Sequence, residues 1–158
     1  YKMSKVNKII ENNVEIEPSY APKKGIVLAR KAGSYLYISG HGPEDQVTGK
    51  PLYTGRIGAD LSVEDGYAAA RACAVIITGA IKDILGSLDC VDRFIRVFGL
   101  VNCDNGFSDI DKVMDGFSDT IMQIFEERGY HTRTAMGTRN LPNGNIPVEI
   151  EAVIKIRE

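Results

Sequence analysis

The chain has 158 residues, a length that fits one domain spanning 1–158. Hydrophobic residues make up 44% and charged residues 25%, with a formal net charge of −2, the balance of a globular chain rather than a disordered one. No apolar run is long enough to span a bilayer, Lys and Arg form no long run, and the sequence pI of about 5.8 gives no electrostatic pull toward nucleic acid.

The start, Tyr1-Lys2-Met3-Ser4-Lys5, lacks the apolar core of a secretory leader. Ser4–Asn13 reads as a weak amphipathic helix (Val6, Ile9, Ile10) within an N-terminal extension over 1–16. The polar segment Glu17–Lys24 follows. Gly25–Arg30 and Ser34–Ser39 are short apolar strands around Lys31-Ala32-Gly33 and predict a hairpin. Gly40-His41-Gly42-Pro43 ends the second of these, and Glu44–Gly58 is irregular.

Two longer helices come next. Ser62 with Asp65 three residues on is a capping-box pattern, and Ala70, Cys73, Ala74, Ile77, Ile81 and Ile84 form a stripe at helical spacing closed by Gly86. The second repeats the grammar: Ser108 and Asp111 as caps, then Ile110, Val113, Met114, Phe117, Ile121, Ile124 and Phe125 as the stripe, with Gly129 at the end. Between them Arg93–Val101 reads as a strand with Phe94, Phe98 and Leu100 on one face and Ile95, Val97 and Val101 on the other. His131–Arg139 and Pro147–Arg157 are the last two strands, joined by the turn-rich Asn140–Ile146. In the final strand Val148, Ile150, Ala152, Ile154 and Ile156 alternate with Glu149, Glu151, Val153, Lys155 and Arg157.

The order is β-β-(β)-α-β-α-β-β, an α+β domain with a mixed sheet and both long helices on one face. The Arg93–Val101 strand is apolar on both sides and needs a second cover. Another subunit is expected to supply it, the alternative being the N-terminal segment folded across. Cys73, Cys90 and Cys103 are odd in number and lack CxxC spacing, which predicts free thiols in a reducing cytoplasm. His41 and His131 are too far apart in sequence to suggest a metal site, and no cofactor is expected.

The chemistry concentrates in the last quarter. Arg133, Ala135, Gly137 and Arg139 share a strand face, and Glu149 and Glu151 share another, so an arginine and one or two glutamates are expected on neighbouring strands. A guanidinium among small residues is a receptor for a carboxylate, and a nearby glutamate can orient water or move a proton. The bland alternatives stay open: Arg133 paired structurally with Glu149 or Glu151, Glu149 as a buried structural acid, Gly40 as a strand-ending bend, His41 as a half-exposed ring, Tyr20 as packing. Arg139 reads as solvated.

Arg133-Thr134-Ala135-Met136-Gly137, Leu141-Pro142 and Val148-Glu149-Ile150-Glu151-Ala152 together resemble the RidA/YjgF family, also called the endoribonuclease L-PSP family. Tyr37-Ile38-Ser39-Gly40 followed by Pro43 resembles its early "SG-Q-x-P" strand end, so the likeness runs from about Tyr20 onward, in a longer branch with an added N-terminal helix. The resemblance implies a chorismate-mutase-like fold, a homotrimer around a central barrel, and ligand clefts between subunits. It implies cofactor-free hydrolysis of small 2-imino or 2-enamino acids to 2-oxo acids and ammonia. By the same resemblance Arg133 grips the substrate carboxylate, Glu149 serves the hydrolytic water, the Gly40 backbone contacts ligand, and Tyr20 lines the cleft. The sequence departs from the pattern at Ala135, where many members carry cysteine, at His41, where glutamine is usual, and around Asp111, where a ligand-binding asparagine has no clear match. Three functions compete: an imine deaminase, a trimeric binder of small carboxylates without turnover, and a nuclease or translation inhibitor. The low pI and the absence of Trp argue against the last.

Overall fold

A computed structural model describes residues 9–16 and 25–157. Among these residues are seven strands and two long helices: β1 (Ile9–Glu11), β2 (Val14–Ile16), β3 (Ala29–Ala32), β4 (Tyr35–His41), α1 (Val63–Leu85), β5 (Val91–Asn102), α2 (Ile110–Phe125), β6 (Thr132–Thr138) and β7 (Val148–Ile156). Five strands form one mixed sheet in the order β3-β4-β7-β5-β6, and β1 and β2 form a separate hairpin. The predicted architecture of a mixed sheet with two helices on one face is the one observed.

The described part of the N-terminal extension is a hairpin and not the end of a helix, which corrects the reading of Ser4–Asn13; residues 1–8 lie outside the described residues. The cause is Asn12-Asn13. Both take positive φ, 46° and 65°, the conformation that a two-residue type I′ turn requires and that asparagine tolerates best after glycine. Val14 and Ile16 are buried, and Asn12 bonds the α2 terminus, its amide donating to the Ile124 carbonyl at 3.0 Å. This hairpin therefore packs with the helices and does not cover the open face of the sheet.

α1 begins as its sequence predicts. Ser62 Oγ accepts from Asp65 N at 3.0 Å and the Asp65 carboxylate accepts from Ser62 N at 2.9 Å, while Gly86 ends the helix at φ +79°. α2 departs from expectation. Its N-cap is Asp109 with no side-chain cap bond, and it ends at Phe125, four residues before Gly129, in a single 3₁₀ turn. The two helices touch closely at Gly116, where an added Cβ would strike the backbone carbonyl of Tyr67.

The sheet alternates as predicted on β7: Val148, Ile150, Ala152, Ile154 and Ile156 are buried beneath the helices. On β5 the predicted faces are wrong at one point. The register with β7 slips between Phe94 and Arg96, so Phe94 joins Val97 and Val101 in the core while Phe98 and Leu100 turn to the other side. A second slip, between Ile38 and His41 on β4, turns His41 inward in line with Leu36 and Ile38. Away from the helices the sheet presents Tyr35 and Tyr37, 42% and 52% exposed, and Met136 at its edge, 50% exposed. The far end of β5 is tied down by Asn102. Its side-chain amide donates to Asn145 Oδ1 at 2.9 Å and to the Ile146 carbonyl at 3.2 Å, fixing the turn that launches β7.

Among the described residues no helix is long and apolar enough to cross a membrane.

Candidate functional site

Among the described residues β6 is an edge strand whose only sheet neighbour is β5, in parallel register. Val97 pairs with Arg133 on one side and with Ala152 on the other. Arg133 and Glu149 are therefore not on adjacent strands, which corrects the expectation from sequence: β5 lies between them. They also lie on opposite faces. Arg133 sits level with buried Val97, whereas Glu149 is opposite Leu100, three residues along β5 and on the other side.

Arg133 points toward α2. Its Nη1 donates to Asp115 Oδ1 at 2.9 Å and to Ser118 Oγ at 3.0 Å, and its Nη2 lies 3.7 Å from Asp111 Oδ1. Asp111, Asp115 and Ser118 are spaced four and three apart, so they form one polar stripe along α2 beside its apolar one. The Arg133 side chain is 21% exposed. One of its nitrogens is committed to α2. The 3.7 Å separation from Asp111 is too long for a hydrogen bond, so Nη2 and Nε keep donors for an incoming anion. The structural pairing with Glu149 or Glu151 is not observed; Glu151 instead lies 3.8 Å from Arg96. Ala135 follows Arg133 on the same face, level with Gly99, and is partly buried against the core. A methyl there leaves the guanidinium without a polar neighbour from its own strand on that side.

His131 stands immediately before β6. Its Nε2 lies 3.0 Å from Ser118 Oγ and its Nδ1 2.6 Å from the Gly129 carbonyl. Burial holds the imidazole below its ordinary value and the Arg133 charge pushes the same way, against the Gly129 bond. Nothing in the sequence reading joined Ser118, Asp115 and His131 to Arg133. The 111-115-118 spacing was the available signal, but it becomes meaningful only once β6 is known to lie beside α2.

Glu149 forms a second locus on the other face of the sheet. It is half-buried and lies against Gly40 of β4, where any Cβ would collide with its carboxylate oxygen. Gly40 is therefore the space in which this carboxylate rests. Burial raises the Glu149 carboxyl above its ordinary value, and the charges of Glu44 and Glu151 add to the effect. His41, which the sequence leaves as either a proton source near the cleft or a half-exposed ring, is neither: it is 2% exposed and faces the core because of the β4 bulge. Its Nδ1 lies 2.6 Å from the Ser39 carbonyl, and its buried Nε2 has no partner among the described residues. Burial keeps it below its ordinary value despite the Ser39 bond. Tyr20 lies outside the described residues.

With both loci placed, comparison with known proteins is informative. The family model of YjgF/chorismate-mutase-like proteins, described as putative endoribonucleases, matches residues 19–149. The chain belongs to this family. It is 36% identical over 144 residues to protein TCP17 of Trypanosoma cruzi, covering 90% of this chain and 88% of that protein. The fold is similar to the crystal structure of a protein of unknown function from Agrobacterium tumefaciens, with a TM-score of 0.82, 35% identity and coverage of 87% and 86% of the two chains. It is also similar to RidA from the Antarctic bacterium Psychrobacter sp., with a TM-score of 0.62 over 87% of this chain and 94% of that one; at 21% identity this likeness shows the fold alone. The resemblance carried by Arg133, Leu141-Pro142 and Val148–Ala152 thus holds at the level of family and fold.

Proposed function

We propose that the chain hydrolyses small 2-imino and 2-enamino acids to 2-oxo acids and ammonia, without a cofactor, in clefts between copies of itself. The observation that carries this reading is the state of Arg133: a guanidinium fixed through one nitrogen by Asp115 and Ser118, with Nε and Nη2 available. Two parallel N–H donors match the two oxygens of a carboxylate. Asp115 then favours a ligand that carries positive charge next to its carboxylate. A protonated 2-imino acid is such a ligand, with its iminium nitrogen one carbon away from the carboxylate.

The chemistry asks little beyond this. A protonated imine is already electrophilic, so the protein must hold it, present water and manage one proton. Glu149 is the proposed holder of water, with a carboxylate set in place by Gly40 and raised in basicity by burial. Since one chain sets Arg133 and Glu149 on opposite sheet faces, the two can meet only if different copies contribute them. The exposed Tyr35, Tyr37 and Met136 on the helix-free face support such an assembly, and a homotrimer is the proposed form.

A second reading, a carboxylate receptor without turnover, is favoured by Ala135, which places no reactive group beside Arg133. One experiment separates them. Imines generated in situ by an amino-acid oxidase should release ammonia faster with the protein than in buffer, and Arg133→Ala should abolish the gain. Saturable pyruvate binding with no acceleration would leave only the receptor. Sedimentation of the protein as a monomer at assay concentration would remove the shared cleft.

A further inference from the structure

The charges around Arg133 do not balance. Asp115 and Asp111, four residues apart on α2, both flank the guanidinium. Asp115 Oδ1 lies 2.9 Å from Nη1 and Asp111 Oδ1 lies 3.7 Å from Nη2. The other charges of α2 have partners elsewhere: Lys112 pairs with Asp109 at 3.2 Å, and Asp119 accepts from the Tyr67 hydroxyl of α1 at 2.8 Å. β5 contributes Val97 and Gly99 at this level, neither of them charged. His131, linked to Arg133 through Ser118, is held by burial below its ordinary value and is neutral at pH 7. One cation and two carboxylates therefore leave the locus with a net charge of −1 before a ligand arrives.

The two aspartates do different things. Asp115 is committed to Nη1, together with Ser118. Asp111 makes no side-chain hydrogen bond among the described residues, is 87% exposed, and lies beside Nη2, on the edge left for a ligand carboxylate. A carboxylate in the first turn of α2 gains from the helix dipole. That gain is offset, because Asp111 and Asp115 at i and i+4 repel each other and Asp111 also repels any simple anion docking on Nη2. The arrangement suits a ligand that brings positive charge along with its carboxylate.

We infer that the Arg133 site selects 2-imino and 2-oxo acids whose side chain carries a basic group, an amine or a guanidine, over those with neutral or acidic side chains, and that Asp111 makes the selection. The inference rests on the reading of Arg133 as the carboxylate receptor. A protonated 2-imino acid with a neutral side chain is a zwitterion, its iminium offsetting its carboxylate, and it leaves the complex negative. A basic side chain adds the one charge that neutralises it. A side chain of three methylenes is long enough to turn back from the α-carbon toward Asp111, whose exposure leaves it open to such an approach. The selection is graded rather than absolute. Two opposite charges about 5 Å apart in water-like surroundings favour binding by about four-fold.

The test compares the 2-oxo acids derived from arginine and from citrulline, which match in length and shape and differ in a guanidinium against a neutral urea. Calorimetric titration of the full chain at low salt should show the arginine-derived acid binding at least about four-fold tighter. The ratio should fall toward one at about 1 M salt, where screening shortens to about 3 Å. Asp111→Asn should remove most of the preference, and Asp111→Glu, which keeps the charge, should retain it. The same ratio should appear in kcat/KM for ammonia release from the two imines made in situ by an amino-acid oxidase. If Asp111→Asn does not fold, the salt series on the wild-type protein carries the same test. Pyruvate binding with equal affinity for the two longer acids at low salt overturns the selection while Arg133 stands as the receptor. A preference that persists in folded Asp111→Asn overturns it as well. Preferential binding without ammonia release upholds the selection and overturns deamination. If none of the three acids binds, or all bind Arg133→Ala as well as wild type, the receptor reading falls and the selection with it.

Discussion

Replacing Asp115 with asparagine separates the charge beside Arg133 from the geometry that holds it. Asp115 Oδ1 sits 2.9 Å from Arg133 Nη1, and the Asp115 side chain is 49% exposed. Asparagine keeps an acceptor oxygen in place and removes the negative charge. A half-exposed ion pair contributes about 0–1 kcal/mol, so stability should change by less than about 1 kcal/mol. A further effect falls on ligand binding. A carboxylate on Nε and Nη2 lies across the guanidinium from Asp115, which occupies Nη1, and two like charges about 7 Å apart repel by about 0.6 kcal/mol in water-like surroundings. Removing one should tighten pyruvate binding by about two- to three-fold. Calorimetric titration at low salt is the assay, repeated at about 1 M salt, where screening shortens to about 3 Å and the gain should shrink toward nothing. A protonated imino acid should show the opposite trend, a higher KM, because its nitrogen loses a counter-charge. Unchanged or weaker pyruvate binding by a folded Asp115→Asn protein at low salt would refute Arg133 as the anion receptor.

Three further outcomes follow from the same geometry. Glu149→Gln should slow ammonia release by at least about 10²-fold and yet raise the melting temperature at pH 7. A carboxyl whose folded value is raised costs stability once pH climbs past its ordinary value of 4.5, so the variant's advantage should vanish below that pH; a variant less stable at pH 7 would contradict the burial argument. Gly116→Ala places a methyl against the Tyr67 carbonyl, so overpacking of about 1–3 kcal/mol should outweigh a helix-propensity gain of about 1 kcal/mol, and urea unfolding should show net destabilisation. Asn102→Ala strips the Ile146 carbonyl and Asn145 of a fully buried donor and should cost about 1–3 kcal/mol, read as a lower urea midpoint with unchanged slope.

The last strand and α1 were legible because a single local rule governs each. Strict alternation from Val148 to Ile156 fixes one face, and Ser62 with Asp65 leaves little choice about where the helix starts. Errors arose where a local pattern met a one-residue interruption. The slips at Phe94–Arg96 and Ile38–His41 reverse faces from that point on, and nothing in an apolar run marks where a bulge falls. Asn12-Asn13 did carry a turn signal, but Ile9 and Ile10 also fit helical spacing, and the short segment let the wrong period win. The separation of Arg133 from Glu149 was beyond local reading altogether. Sequence adjacency of β6 and β7 suggests a hairpin, whereas β6 pairs parallel to β5 through the α2 crossover. That same crossover brings Asp115, Ser118 and His131 to Arg133, so the topology that divides the predicted pair also creates the unpredicted cluster.

The most direct test is a crystal structure of the protein with bound pyruvate. The expected result is a carboxylate on Nε and Nη2 of Arg133, with Glu149 of a neighbouring copy facing it. A pyruvate bound elsewhere, with Arg133 still paired only to α2, would contradict the proposed site.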